Sequence, residues 1–352
     1  MSKLRLYGVQ GEVAAWILAF LSGRTQRVVV DGSMSDSADV ISGVPQGTVL
    51  GPLLFLLFIY DLPQVVDPGT QVRLFADDCL IYRTIKNIQD QIQLQKDFDA
   101  LQLWGDLWGM KFNASKCVIL SATSMENPLT KFYELNNTVL EHVDSATYLG
   151  ILIHKSLSFS EHVNNTAKKC RSRLGFLRRN LKKCPQGLKQ TAYLSLVRST
   201  TEYGATIWDP HLEKDKDLLE KIQSRAVRWV CGVRWQCGVA PKDQEVSITK
   251  LRRGLEWPKL EVRRQQQRLT LMYKVANEHV GVTPEMLGLT KRSDGRTRKS
   301  HQHSFHELKA RTDWKKFSFT NRTVPLWNRL PASAAEADWP SSFKSQLPAQ
   351  LD

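Results

Sequence analysis

Residues 71–82 read Gln-Val-Arg-Leu-Phe-Ala-Asp-Asp-Cys-Leu-Ile-Tyr, setting two adjacent carboxylates, Asp77 and Asp78, between two strand-like apolar runs. The runs 72–76 and 79–82 are rich in β-branched, aromatic and aliphatic side chains, so the Asp pair falls where the chain must turn back. Like charges side by side at a buried turn repel, and a divalent cation relieves that repulsion. Carboxylate oxygens with retained waters suit Mg²⁺, which commonly serves phosphoryl transfer by clamping the attacking and leaving oxygens. A bare Asp-Asp turn is more often simply solvated. The segment before it sets this one apart. Residues 42–62 form a Gly/Pro-punctuated loop that runs into a helix apolar nearly all round, and such a helix is expected to be buried. Gly43, Gly47 and Gly51 permit close approach of backbone to a ligand, and Gln46 can both donate and accept in the middle of the loop.

Loop, apolar helix and Asp-Asp hairpin in this order resemble the palm of a reverse transcriptase. The wording SGVPQGTVLGPLLFLLFIYDL followed by FADDCLIY is similar to non-LTR retrotransposons of the jockey and LINE-like kind. The resemblance implies an α+β fold: a partial palm, made of an antiparallel sheet with packed helices, followed by a helical thumb-like region. It implies attack of a primer 3′-hydroxyl on the α-phosphate of a dNTP, with Mg²⁺, or Mn²⁺ as the alternative ion, held by the catalytic Asp77 and Asp78. Pro45, Gln46 and Gly47 would position nucleotide and template, and Phe75 and Ala76 would lie near the primer end. Residues 108–117 look like the family's fourth palm motif, whose lysine is Lys116 here, a cation near the incoming nucleotide's phosphates. On spacing alone, an exposed lysine at a strand start is an equal reading. Tyr148, Leu149 and Gly150 open a stretch similar to the primer-grip strand, or equally a core strand. Upstream, residues 4–9 and 16–28 look like the helix and strand that link the first palm motif to the second, with Val13, Ile17, Phe20 and Leu21 on one helical face. The implied partners are an RNA template and DNA primer, or an RNA–DNA hybrid, with a dNTP in the intact enzyme. Neither a membrane nor an obligate protein partner is expected.

One departure bears on activity. In these polymerases a third carboxylate stands on the first palm motif, just before the helix that begins here at Lys3. Asp31, Asp36 and Asp39 follow the helix around Trp16 and match no such position. Two-metal catalysis needs carboxylates from both motifs, so the chain by itself is expected to be weak or inactive, with Met1 marking a gene-model boundary or a degenerate insertion. The alternative is a non-catalytic, basic nucleic-acid-binding relic. Absence of the first-motif strand is expected to leave an open sheet edge and an uncovered apolar face.

The chain's 352 residues and 42% hydrophobic content are those of a globular protein with more than one core. The division expected is a partial palm over 1–155, a helical thumb-like region over 156–280 and a basic carboxy-terminal segment over 281–352. Ser160-Glu-His-Val opens like a capped helix, and residues 284–306 read as a polar, basic linker. Lys plus Arg number 49 against 35 Asp plus Glu, a net charge of +14, which favours a nucleic-acid partner. Much of the excess lies in one stretch, with Lys168, Lys169, Arg171, Arg173, Arg178, Arg179, Lys182 and Lys183 interleaved by Leu174, Phe176, Leu177 and Leu181. By itself that pattern is a solvated helix face. Beside a palm it implies backbone contact with the template–primer duplex. Six cysteines form no CxxC pair, which suggests neither a zinc knuckle nor a disulfide framework, and His301, His303 and His306 lack an obvious fourth ligand. With no signal peptide or membrane-length apolar run, the expected location is intracellular, in nucleus or cytoplasm.

Overall fold

The computed structural model describes residues 1–123, 131–233, 247–292 and 301–347. The chain divides into two units, residues 1–119 with 125–142 and residues 120–124 with 143–352, each with hydrophobic clusters of its own. The mixture of helices and small sheets is an α+β fold.

The first unit opens with helices α1 (Ser2–Leu6) and α2 (Gly11–Leu21). An antiparallel ribbon follows, in which β1 (Thr25–Gln26) pairs with β4 (Ala38–Asp39) and β2 (Val29–Val30) with β3 (Ser33–Met34). Its tip is Asp31-Gly32, both at positive φ (48° and 83°), the backbone that a two-residue turn of matching twist demands. Helix α3 (Leu50–Ile59) then leads to the hairpin of β5 (Thr70–Phe75) and β6 (Asp78–Arg83), in register from Thr70↔Arg83 to Phe75↔Asp78.

Helix α4 (Ile88–Trp108) is fixed at its start by a capping box. Asn87 Oδ1 accepts from the Gln89 and Asp90 amides, and the Asp90 carboxylate accepts from the Asn87 amide, so three otherwise orphaned donors are satisfied. Gly109, in the left-handed region, ends the helix. Its buried Phe98, Leu101 and Trp104 join Ile59, Leu62, Tyr133, Leu135 and Leu140 in the unit's main cluster. Short strands complete the unit: β7 (Val118–Ile119) lies parallel to β10 (Glu141–His142), and β8 (Glu134–Leu135) pairs antiparallel with β9 (Thr138–Val139).

The expected burial of α3 does not hold. Only Gly51, Leu54 and Ile59 are buried, while Leu53 and Leu56 are 53% and 50% exposed. Apolar composition on every face asks for a neighbour on every face, and the described residues supply one on some sides only. The shared face of α2 divides likewise, with Ile17 buried, Phe20 and Leu21 half-buried and Val13 exposed. Lys3 is instead enclosed. Its ammonium donates to Asp61 Oδ1 at 2.5 Å and to the Phe58 carbonyl at 2.7 Å, over the rings of Phe58, Trp104 and Trp108.

The second unit begins with the hairpin of β11 (Ser145–Tyr148) and β12 (Ile151–His154), followed by helix α5 (Ser160–Asn180). Next come α6 (Gln186–Tyr193), a π-helical turn (Leu194–Arg198), α7 (Ser199–Glu202), α8 (Ala205–Trp208), α9 (Glu213–Val230), α10 (Ile248–Gly254) and α11 (Leu260–Ala276). One cluster gathers Val163, Leu174, Tyr193, Trp208, Leu219 and Ile222; another gathers Met272 and Tyr273 of α11 with Phe305, Val324, Trp327 and Phe343. Between the clusters' helices lies a buried ion group. Asp209 accepts from Arg264 Nε at 2.6 Å, and Arg268 and Arg322 approach its other oxygen to 3.1 and 3.2 Å.

Two further expectations are corrected here. Ser160 is the first helical residue rather than a cap, and its hydroxyl donates to Asp215 Oδ2 at 2.5 Å. The stretch 284–306 is not a loose linker where it is described. Lys291 bridges to Phe305, and Leu289, His301, Ser304 and Phe305 are buried. A few anchors suffice to hold a polar segment when each is wholly enclosed. Residues 293–300, with Arg296, Arg298 and Lys299, lie outside the described residues.

Candidate functional site

The carboxylate pair stands at the tip of the β5–β6 hairpin. Ala76 and Asp77 form the two-residue turn, and Asp78 opens β6 opposite Phe75. Ala76 sits at φ 50°, a conformation that costs a non-glycine residue roughly 1 kcal/mol and holds the turn tight. Phe75, Ala76, Asp77 and Asp78 are all exposed, which corrects the expectation of a buried turn: the two-stranded sheet ends here with no described element covering it. Water therefore already screens the repulsion between the carboxylates.

The donor set fits Mg²⁺ in kind, since these hard oxygens make no hydrogen bond or ion pair among the described residues and the ion accepts one or two carboxylates with waters. No group of three or more potential metal-ligating residues gathers among the described residues. His301, of the histidine triplet, is committed elsewhere, bonding the Trp327 carbonyl through Nε2 at 2.9 Å.

Lys116 is exposed at the end of a single turn (Ala114–Lys116), which Asn113 caps by accepting from the Ser115 amide and hydroxyl. The residues that follow Asp78 and Lys116, Cys79 and Cys117, belong to one hydrophobic cluster. Burial, then the charge of Cys117, pushes the Cys79 thiol up to about 11. The fold thus brings the lysine's segment to the hairpin's buried side.

The 45–47 loop is held from within. The Thr48 hydroxyl donates to the Pro45 carbonyl at 2.8 Å and accepts from the Gly51 amide at 3.1 Å. A Cβ on Gly51 would meet that same carbonyl at 2.7 Å, so this glycine serves the loop's own closure rather than a ligand. Arg24 donates to the carbonyls of Leu21, Ser42 and Gly43, anchoring the loop's entrance. Gln46 and Gly47 are exposed, and Pro45 is half-buried.

Tyr148, Leu149 and Gly150, read as one strand, are instead a strand end and a turn: Leu149 and Gly150 (φ 47° and 78°) reverse the chain between β11 and β12. Tyr203 locks that turn, its hydroxyl donating to the Leu149 carbonyl at 2.9 Å. This hairpin lies in the second unit, with the basic helix. On α5, Val163, Ala167, Cys170, Leu174 and Leu177 are buried, and Lys168, Lys169, Arg171, Arg173, Arg178 and Arg179 all face solvent, as do Lys182 and Lys183 beyond it. None of the eight forms an ion pair among the described residues; Arg173 donates to the Leu196 carbonyl at 3.2 Å and to the Thr200 hydroxyl. Phe176 lies among them, 57% exposed.

Residues 1–153 match the family model of reverse transcriptase (RNA-dependent DNA polymerase). The amino-terminal part of this chain belongs to the reverse transcriptase family. The chain is 27% identical over 245 residues to the RNA-directed DNA polymerase from mobile element jockey of Drosophila melanogaster, covering 67% of this chain and 27% of the relative. It is 32% identical over 224 residues to the probable RNA-directed DNA polymerase from transposon BS of the same organism (60% and 24%), and 28% over 225 residues to that from transposon X-element (61% and 24%). The likeness is thus to reverse transcriptases of the jockey-like, non-LTR retrotransposon kind, and the chain spans about a quarter of the length of these relatives. Similarity over 245 residues is longer than the 153-residue domain match, so it runs into the helical unit. No helix among the described residues is long and apolar enough to cross a membrane.

Proposed function

We propose that this chain carries the palm and thumb portions of an RNA-directed DNA polymerase, and that it works on an RNA template with a DNA primer inside the cell, in nucleus or cytoplasm. The observation that carries the reading is the solvent-facing Asp77–Asp78 pair on a rigid two-residue turn within the reverse transcriptase domain. Bound there, Mg²⁺ or Mn²⁺ would lower the pKa of the primer 3′-hydroxyl and neutralise charge on the transferring phosphate. Asp77 and Asp78 hold and orient that charge. The exposed Lys116 ammonium offers a cation, and a proton, to the departing pyrophosphate. Pro45, Gln46 and Gly47 present a fixed loop with a free amide side chain to nucleotide and template, and Phe75 and Ala76 border the primer end. Tyr148, Leu149 and Gly150 would support the primer strand. The arginines and lysines of α5 would grip duplex phosphates without reading sequence. That surface needs nothing from the hairpin, which is the ground for a second reading as a non-catalytic nucleic-acid-binding protein.

A primed RNA template with labelled dNTPs and Mg²⁺ tests the polymerase reading. With two carboxylates only, the 352-residue polypeptide alone is expected to extend the primer no further than background. Supplied in trans with the preceding reverse transcriptase segment of a jockey-type relative, it is expected to extend it, and Asp77→Ala to abolish extension. Robust extension by the polypeptide alone, lost in Asp77→Ala, would replace the incomplete site by a complete one. Extension indifferent to Asp77→Ala would sink the catalytic assignment.

A further inference from the structure

The second unit holds a cavity of about 590 Å³, a volume typical of small-ligand sites, which the polymerase reading leaves unused. Trp208, Val275 and Phe319 form part of its apolar lining, and His211, Trp314 and Phe317 also border it. The rings of His211 and Phe317 stack with centroids 3.9 Å apart and planes 4° from parallel. His211 is exposed and Trp314 is 52% exposed, so flat aromatic faces stand in water at the cavity's edge. Partial desolvation against its neighbours, then the charge of Arg322, lowers the pKa of the His211 imidazole although much of the ring stays open to water. Hydroxyls of Ser158, Thr206 and Ser318 line the same space and can donate or accept.

Among the described residues, the only charged side chains lining the cavity itself are Asp209, which is paired with Arg264, Arg268 and Arg322, and Asp215, which accepts from the Ser160 hydroxyl; the cations lie beside it, on the segment that carries Trp314 and Phe317. Lys316 places its ammonium 5.3 Å from the Phe317 ring centroid, and Lys315 precedes it. Lys309, Arg311, Lys315 and Lys316 are all exposed, with Asp313 the only acid in residues 309–316. Aromatic faces beside a basic segment are the combination that takes single-stranded nucleic acid: bases stack on rings regardless of sequence while cations follow the phosphates. An acidic peptide would use the cations but gain little from parallel rings.

We propose that this cavity binds single-stranded nucleic acid, with a base stacked at Trp314 and the His211–Phe317 pair and with flanking phosphates against Lys315 and Lys316. The site goes beyond the polymerase reading and stands whether or not the chain extends a primer. It also differs in kind from α5, where charge dominates and a duplex is the expected ligand.

The experiment uses the full chain and a fluorescent oligouridine of about 12 nucleotides, within single-strand site sizes. Trp314→Ala should weaken its binding about 5- to 150-fold, the loss expected for one stacked base, and leave hybrid-duplex binding unchanged. The α5 variant Arg171→Gln, Arg173→Gln, Arg178→Gln, Arg179→Gln should do the reverse. In unmodified protein, a 5-iodouridine oligonucleotide should photocrosslink to Trp314, Phe317 or His211, a readout independent of any variant's folding. Crosslinks confined to α5, with oligouridine affinity unchanged in Trp314→Ala, would overturn the proposal. So would an acidic amphipathic peptide that binds in a Trp314-dependent way and is not displaced by oligouridine.

Discussion

The helical unit encloses Val163, Cys170, Tyr193, Trp208, Trp327 and Phe343 completely, whereas the amino-terminal unit leaves Trp16, Val29, Ile41, Val49 and Leu56 half or more exposed. Each large apolar side chain left in water forgoes roughly 1.5–3 kcal/mol of burial. The unit that carries the carboxylates is therefore the one whose described surface is least finished, and its sheets are all two-stranded ribbons. The carboxylate pair and the better-enclosed cores lie in different regions, and each region can be perturbed separately.

The largest effect should come from cutting between them. Residues 143–352 are expected to be soluble, monomeric and cooperative in urea, because their clusters close within the segment. Residues 1–142 are expected to associate through exposed apolar surface and open strand edges. Size-exclusion chromatography with light scattering reads both, and a monomeric, cooperatively unfolding 1–142 would dissolve the contrast.

Asp209→Ala sharpens the comparison from the other side. It strips from Arg264, Arg268 and Arg322 the carboxylate with which all three pair in the helical unit's interior, and should cost about 3–5 kcal/mol in urea unfolding. The first unit's Asp67, paired with Arg83 at 2.7 Å but open to solvent that screens the pair, should cost far less when replaced by Ala. Equal losses would mean that both units lean on ion pairs alike.

The smallest effect concerns pH. His162 is buried, its Nδ1 accepting from the Leu152 amide at 3.1 Å, and burial, then the charge of Lys169, holds its pKa below the ordinary histidine value. The unfolded chain then binds the extra proton first, so His162 contributes stability above about pH 6.5 that is lost as pH falls through that value and on toward the folded pKa. Replacing it by Asn should flatten the stability–pH profile of the full chain between neutral and mildly acid pH. An unaltered profile would assign that slope to other groups, His301 among them, which burial also shifts downward.

Local signals were the legible ones. The Asp pair's hairpin and the apolar stripe beneath the α5 cations both depend on residues within a few turns of one another, where periodicity speaks directly. Enclosure was not legible. Nothing in the apolar run of α3 says which faces find a neighbour, and nothing in the composition of 284–306 marks Leu289 and Phe305 as anchors. Nor did the sequence single out Lys3, Tyr203 or the Asp209 group, whose partners lie 54 to 113 positions away in cases such as Tyr203 with Leu149 and Arg322 with Asp209. The cavity at Trp314 was hidden for the same reason.

The bareness of the Asp77–Asp78 turn has a thermodynamic corollary. With no hydrogen bond among the described residues to hold either carboxylate, their arrangement is settled by whatever arrives. A cation that orders them makes the next anionic ligand bind more tightly, and by reciprocity that ligand must tighten the cation by the same factor. An ion and an anionic ligand that met at such a tip would be coupled effectors of each other, and a titration of either alone would measure only one edge of a square whose opposite edges must agree.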